Sequence, residues 1–321
     1  MKILYYGACW PTNIGNAFID YGSIHSIKSA MPRANVFFAS ELPRWLCRAN
    51  RRDMEESIDL TELIEIDALV VSGMTICDEF IRVEGPVLSR LSRQGVRIFF
   101  FGCGGALYDQ SEIKNFIKFL RGINVCGFIS RDEKTYEYCS PSFPKSHNGI
   151  DCAFFLSDAF VPAKLKIKDF VVFNFDSMKE PLIETNRGII RTHHSCLEAF
   201  PSNSISGKNY LPSRIRESLS FKPKKGIKFG QYGLRNTLIS DIPEDYLNLY
   251  ANTFATYSDR VHACIATLSF GHSARLYSDT PRALIFKRVG AIDIVNKLVK
   301  IDIDELNNEK KNQISFMREI F

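Results

Sequence analysis

"TYSDRVHACIATLSFGHSARLY", residues 256–277, reads as the end of a strand, a short and almost wholly apolar helix, and a following strand. A helix that is apolar all round is a buried helix. Its first turn nevertheless carries Arg260 and His262, two polar groups where a core helix prefers none. A helix N-terminus presents unpaired N–H groups and a partial positive charge, so it favours anions. Ser258 or Asp259 is placed to cap this helix. Side chains two positions apart point about 200° apart on a helix. In a first turn, however, both reach a ligand lying across the helix end.

The same alternation runs through the rest of the chain. "KILYYG" (2–7), "ANVFFAS" (34–40), "IDALVVSGM" (66–74), which ends in Ser-Gly, "VRIFFFGCGGALYD" (96–109), which ends in a glycine cluster, and the opening of "VCGFISRDEKTYEYC" (125–139) are strand-like. Helical segments follow at "AFIDYGSIHSIKSAM", "EGPVLSRLSRQG" (84–95) and about 111–121, and a further one carries Arg131 and Asp132. "CSPSFPKSHNGID" (139–151) is rich in turn residues. "DFVVFNFD" (169–176) opens a second strand set, with "RGIIRTHHS" and "KGIKFGQYG" as further strands. "PEDYLNLYANTF" is helical, "RALIFKRVG" fits helix or strand, and the segment 177–240 carries the weakest pattern. Strands alternating with helices at this spacing predict parallel sheets covered on both faces. The expected organisation is a first domain at 1–160, a second at 161–295 carrying the Arg-x-His helix, and a helical tail at 296–321, for which packing back on the first domain is one arrangement.

A chain of 321 residues with 45% hydrophobic and 24% charged residues is of ordinary globular composition. The net charge of +5 suits an acidic small molecule, and no long Lys/Arg run points to nucleic acid. Nine scattered cysteines form no C-x-x-C pair, so neither a zinc site nor a disulfide framework is expected. A reduced cytoplasm is the expected setting. The opening "MKILYYGACW" is too short an apolar run for a signal peptide, and no stretch of 18 apolar residues predicts a membrane span.

Ligands of open parallel sheets sit beyond the carboxyl ends of the strands. The candidates there are Asn13, Gly15 and Asn16; Ser72 and Gly73; Gly102, Gly104 and Gly105; Arg131 and Asp132; and Arg260 and His262. An arginine in such a place grips a carboxylate or phosphate with a two-pronged fork. "TNIGN" is equally a tight turn with Asn capping a helix, and Arg131–Asp132 equally a helix-start ion pair. "GCGG" lacks both the dinucleotide spacing and the P-loop lysine, and its glycines equally serve a close turn. His193 and His194 have no third metal ligand at usable spacing, and "DID" (302–304) lies far from any glycine-rich turn.

Four pieces in order resemble the polysaccharide pyruvyl transferase family: "PTNIGNAFIDYGSI", "FISRDEKTYEY", "NGIDCAFFL" and "YSDRVHACIATLSFG". They are similar to its Asn-x-Gly-Asp, Arg-Asp-x-x-Ser, Asp-Pro-x-Phe and Arg-x-His signatures, and the resemblance covers about residues 1–290. It implies an α/β fold of two Rossmann-like domains facing a cleft, of the glycosyltransferase-B kind. It implies transfer of a pyruvyl group from phosphoenolpyruvate to two hydroxyls of one sugar, making a cyclic ketal on an exopolysaccharide or cell-envelope precursor. His262 would be the general acid, acting with Arg260. Arg131, Arg260, Arg282 and Gly104 would bind the donor, and Asn13, Gly15, Asn16, Ser72 and Gly73 would line the acceptor side of the cleft. No metal or other cofactor is implied beyond phosphoenolpyruvate as co-substrate. The acceptor is a glycan or lipid-linked sugar, and the expected place is the cytoplasm, with peripheral attachment at the inner face of the membrane. Asn16 stands where the family often has Asp, "SGM" replaces its Gly-Gly, and Arg282 replaces a common Lys. The alternatives are a nucleotide-sugar glycosyltransferase of the same fold and a non-catalytic relative in envelope assembly.

Overall fold

In β1 (Lys2–Gly7) every residue from Ile3 to Gly7 is buried, which requires neighbouring strands on both edges and covered faces. The computed structural model describes residues 1–8, 10, 13–44, 58–143, 145–195 and 235–321. The further strands of the first half are β2 (Asn35–Ser40), β3 (Ala68–Ile76), β4 (Arg97–Gly105), β5 (Val125–Ser130) and β6 (Ser146–Asn148). They form one parallel sheet in the order β2-β1-β3-β4-β5-β6. In the second half, β7 (Phe170–Asn174), β8 (Gly188–Thr192), β9 (Thr237–Leu238), β10 (Ala255–Ser258) and β11 (Ser273–Leu276) form a second parallel sheet, ordered β11-β10-β7-β8-β9. The helices are α1 (Gly15–Ala30), α2 (Leu60–Leu63), α3 (Asp78–Arg93), α4 (Gln110–Leu120), α5 (Glu133–Cys139), α6 (Leu156–Ala159), α7 (Pro243–Tyr250), α8 (Val261–Ser269) and α9 (Ile303–Ile320).

The strand order reverses once in each sheet, between β1 and β3 in the first and between β7 and β10 in the second. Such switch points open a crevice beyond the strand ends, because the connections on either side leave in opposite directions. α1 follows the first switch point and α8 the second. One hydrophobic core joins them, running from Ile3 and Phe18 through Phe154 to Val172, Ile265 and Leu276. The contact is close enough to dictate sequence: a Cβ on Gly22 of α1 would lie 1.8 Å from the backbone oxygen of Cys152. All nine residues of α8 are buried, as the apolar stretch at 261–269 requires.

Several expectations change. β3 does not end at Ser72–Gly73; it continues to Ile76 through a register shift at Gly73, whose φ is +88°. The "GCGG" glycines lie inside β4 rather than in a turn beyond it, and a second shift in register accommodates them. α3 begins at Asp78, six residues before the predicted helix, and tolerates Pro86 within it. Short β6 and β9 have no periodicity long enough to read. "RALIFKRVG" is a 3-10 helix over Pro281–Val289. The strand expected at "KGIKFGQYG" lies outside the described residues.

The tail forms α9, which packs against α1 and β5. Its polar middle is accounted for inside the protein. Lys310 pairs with Asp158, and Gln313 Oε1 accepts the backbone N–H of Ile150 at 2.8 Å. Asp302, from "DID", accepts from the N–H groups of Asp304 and Glu305 and so caps this helix. No described helix is long and apolar enough to cross a membrane.

Candidate functional site

The two switch points face one another, and the site lies where α1 meets α8. Arg260 is not in the first turn of α8, as expected, but at its N-cap, with φ −106° and ψ 123°. Its backbone N–H donates to Ser258 Oγ at 2.8 Å. Asp259 does not cap the helix; its carboxylate accepts from the backbone N–H groups of Asp176, Ser177 and Met178. It thereby ties the end of β7 to the end of β10. Arg260 leaves the helix axis and His262 stays on it, which brings both side chains to one side.

Arg260 is held by a residue that no motif singled out. Its Nε donates to Asp176 Oδ2 at 2.9 Å, and its Nη2 to Ser195 Oγ at 2.7 Å. Asp176 also takes the backbone N–H of His194 at 2.9 Å, and its Oδ1 lies 3.0 Å from His193 Nδ1. Burial works against the Asp176 carboxylate, but the His193 hydrogen bond and the surrounding cations hold it below the ordinary range. His193 and His194 diverge rather than forming a metal pair. His194 Nε2 lies 2.6 Å from the Tyr250 hydroxyl, inside an edge-on cage of Phe18, Tyr246 and Tyr250. Burial pushes that imidazole down to about 3, so it is neutral. Among the described residues no group of three His, Cys, Asp or Glu side chains is placed to hold a metal ion.

Arg131 sits opposite, 1% exposed, just before the N-cap of α5. Its Nη1 reaches Asp151 Oδ2 at 3.2 Å and its Nη2 the carbonyl of Gly105 at 3.3 Å. Asp132 is not an ion-pair partner in this arrangement but the cap of α5, accepting from the N–H of Thr135 and from the hydroxyls of Thr135 and Tyr108. A Cβ on Gly104 would stand 2.5 Å from Arg131 Nε, so the "GCGG" glycine serves this close approach. Asp151 Oδ2 is also 3.6 Å from His262 Nε2. Burial tends to raise the Asp151 carboxyl, yet His262 and Arg131 together hold it low.

Arg282 enters from the start of the Pro281–Val289 turn, half-buried. Its guanidinium has no carboxylate or other hydrogen-bond partner among the described residues. Burial, then Arg131 and Arg260, lower its proton affinity. Three guanidinium groups therefore converge, and only two of them have carboxylates.

On the α1 side, Gly15 lies against the site: a Cβ there would be 2.9 Å from His262 Cβ, 3.1 Å from Asn13 Oδ1 and 3.4 Å from His194 Nδ1. Asn13 turns back to accept the Gly15 N–H at 3.1 Å, a tight turn just ahead of the helix, whose N-cap is Ile14 and carries no side-chain cap. Asn16 is half-exposed beside them. Ser72 and Gly73 do not join this cluster. Ser72 Oγ accepts from Ser23 Oγ behind α1, and Gly73 faces Ile19. The residues that motif reading missed are Asp151 as an ion-pair partner, Asp176, Ser195 and Tyr250. "NGID" and "NFD", each an acid just past a strand, are the signal that was present for the first two.

A family model for polysaccharide pyruvyl transferase matches residues 11–278. No curated protein matches the sequence. Among solved structures, the S. aureus MnaA–UDP co-structure superposes with a TM-score of 0.54 at 11% identity, covering 99% of this chain and 91% of the other. A putative UDP-N-acetylglucosamine 2-epimerase from Listeria monocytogenes gives 0.50 at 10% identity, covering 100% and 91%. The Methanocaldococcus jannaschii UDP-GlcNAc 2-epimerase in complex with UDP-GlcNAc and UDP gives 0.50 at 10%, covering 98% and 93%. At these identities the likeness is one of fold alone, and the fold is GT-B-like: α/β with two parallel sheets.

Proposed function

Because the chain belongs to the polysaccharide pyruvyl transferase family, we propose that it moves a pyruvyl group from phosphoenolpyruvate to two hydroxyls of one sugar in a polysaccharide precursor, forming a cyclic ketal. The observation that carries the reading is Arg282, a guanidinium with no carboxylate partner among the described residues, in the field of Arg131 and Arg260. A guanidinium that no described carboxylate neutralises is one that a polyanionic ligand relieves. Phosphoenolpyruvate carries about three negative charges near neutral pH, and burying them requires matched cations.

Arg260 and Arg282, the two arginines with exposed surface, grip the phosphate and carboxylate. Arg131 supplies positive field from behind and keeps its charge: burial works against the guanidinium, but Asp151, Tyr108 and Asp132 together more than offset it. His262 then delivers a proton to the methylene carbon as the sugar hydroxyl attacks C2, a contribution worth about 10²- to 10⁴-fold in rate. Asn13, Gly15 and Asn16 line the acceptor side. Nothing in this scheme needs a metal or a further cofactor, and a glycan or lipid-linked sugar is the acceptor. The work is done in the cytoplasm, at the inner face of the membrane if the acceptor is lipid-linked.

A thermal-shift panel of phosphoenolpyruvate, inorganic phosphate and nucleotide sugars tests the reading. At 100-fold excess over its dissociation constant, the donor stabilises by about 2.7 kcal/mol. Stabilisation by a nucleotide sugar and none by phosphoenolpyruvate would sink the proposal in favour of a glycosyltransferase. Near-normal turnover in His262→Gln would remove the assigned acid.

A further inference from the structure

Resting on the pyruvyl-transfer reading, we infer that Asp151 is a positioning residue which claims Nε2 of His262, so that the proton passed to the donor comes from Nδ1. The two ring nitrogens occupy different surroundings. Nε2 is buried with no hydrogen bond made among the described residues, and the acceptor it faces is Asp151 Oδ2 at 3.6 Å, an ion-pair distance that a small ring movement closes to a hydrogen bond. Nδ1 faces no carboxylate among the described residues, and it belongs to a side chain that keeps 10% of its surface exposed. The two nitrogens of an imidazole take their roles from the partner that the other one holds.

Neither group can turn away. His262 lies in a helix whose nine residues are all buried, with its Cβ against Gly15. Asp151 is the N-cap of the 3-10 turn Cys152–Phe155, its Oδ1 accepting the Ala153 N–H at 2.9 Å. Its Oδ2 is held from the other side by Arg131 Nη1. The carboxylate is therefore oriented by a backbone bond and a buried guanidinium, and it in turn orients the imidazole. This is the logic of a carboxylate that fixes tautomer and ring orientation without itself taking a proton.

The step balances as follows. The Nδ1–H bond breaks as the donor's π electrons form the new C3–H bond, leaving the positive charge on C2 and the ring neutral with Nε2–H on Asp151. The first sugar hydroxyl forms its C–O bond to C2 and returns its proton to Nδ1. Phosphate leaves C2 with the bonding pair, and the second hydroxyl closes the ring and gives its proton to that phosphate. Pyruvyl ketal and hydrogen phosphate are the products.

The test is a two-bond 1H–15N correlation spectrum of histidine-labelled protein, with the His262 signals identified by their loss in His262→Gln. At a pH where the ring is neutral, the expected spectrum has the proton on Nε2 and a bare Nδ1. Adding phosphoenolpyruvate shifts Nδ1 and leaves the Nε2–H resonance in place. A neutral ring with its proton on Nδ1, or a donor-induced change confined to Nε2, overturns the assignment. Asp151→Asn, if folded, mixes the two tautomers and loses at least 10-fold in turnover at saturating donor; a fixed Nε2–H tautomer in that variant also overturns it. If wild-type protein shows no thermal stabilisation by phosphoenolpyruvate, the pyruvyl-transfer reading fails instead, and the tautomer of the free protein still decides the role of Asp151.

Discussion

Replacing Asp176 by Ala removes the acceptor for three donors at once: Arg260 Nε, the His194 N–H and His193 Nδ1. The Asp176 side chain is 2% exposed and that of Arg260 23%, so water restores little of what is lost. Breaking a buried ion pair by deleting one partner costs about 3–5 kcal/mol. Most of that falls within the range here, because the buried His194 N–H alone is worth about 1–3 kcal/mol when stranded. The expected result is a fall of about 3–4 kcal/mol in unfolding free energy by urea titration at pH 7. Affinity for phosphoenolpyruvate falls with it, since Arg260 loses its Nε anchor.

The pH dependence checks the cause. The folded Asp176 carboxyl is held below its ordinary value, so its stabilisation is present above the unfolded value of about 3.9. It is lost only as pH falls through the depressed folded value. The gap between wild type and Asp176→Ala therefore persists from pH 8 down to about pH 4. A loss below about 1 kcal/mol, or a gap that closes between about pH 7 and 5, would show that Asp176 does not carry this network.

Arg282→Gln, which removes the unpaired guanidinium, weakens phosphoenolpyruvate binding by about 1.5–3 kcal/mol, or roughly 10- to 100-fold. Its melting temperature without ligand is not lowered, because burial and two neighbouring arginines already disfavour the charge; calorimetry with and without donor reads both effects. Gly104→Ala, which sets a Cβ 2.5 Å from Arg131 Nε, costs about 1–3 kcal/mol of stability in a denaturation series and impairs donor binding. His194 gives the acid limb: burial holds its folded value at about 3, below the ordinary imidazole value of 6.5, so the unfolded chain binds the extra proton. Unfolding free energy then falls by about 1.4 kcal/mol per pH unit between roughly pH 6 and 4, and His194→Phe flattens that slope.

Much of the molecule is legible along the chain. β1 is found at the residues predicted, and β7, β10 and the helix at 261–269 lie within a residue or two, because a buried strand or helix writes its burial into consecutive side chains. Bulged β3 and β4 are less so. Their glycines look like turns in sequence, whereas a parallel neighbour on each side carries the strand through them.

Local chemistry by itself determined that a cation and an imidazole stand at the mouth of an apolar helix, and order along the chain linked them to Arg131, Asn13 and Gly15. It left the partners undetermined. Asp176 lies 84 positions before the arginine it holds, and Asp151 reaches His262 because the Cys152–Phe155 turn that it caps packs against α8. Hydrogen bonds and charge pairs act over about 3–4 Å, a distance that sequence separation does not encode. Tertiary structure alone decided that Arg131 is buried behind the site, that Arg282 enters it with no carboxylate partner among the described residues, and that the two histidines at 193 and 194 turn apart.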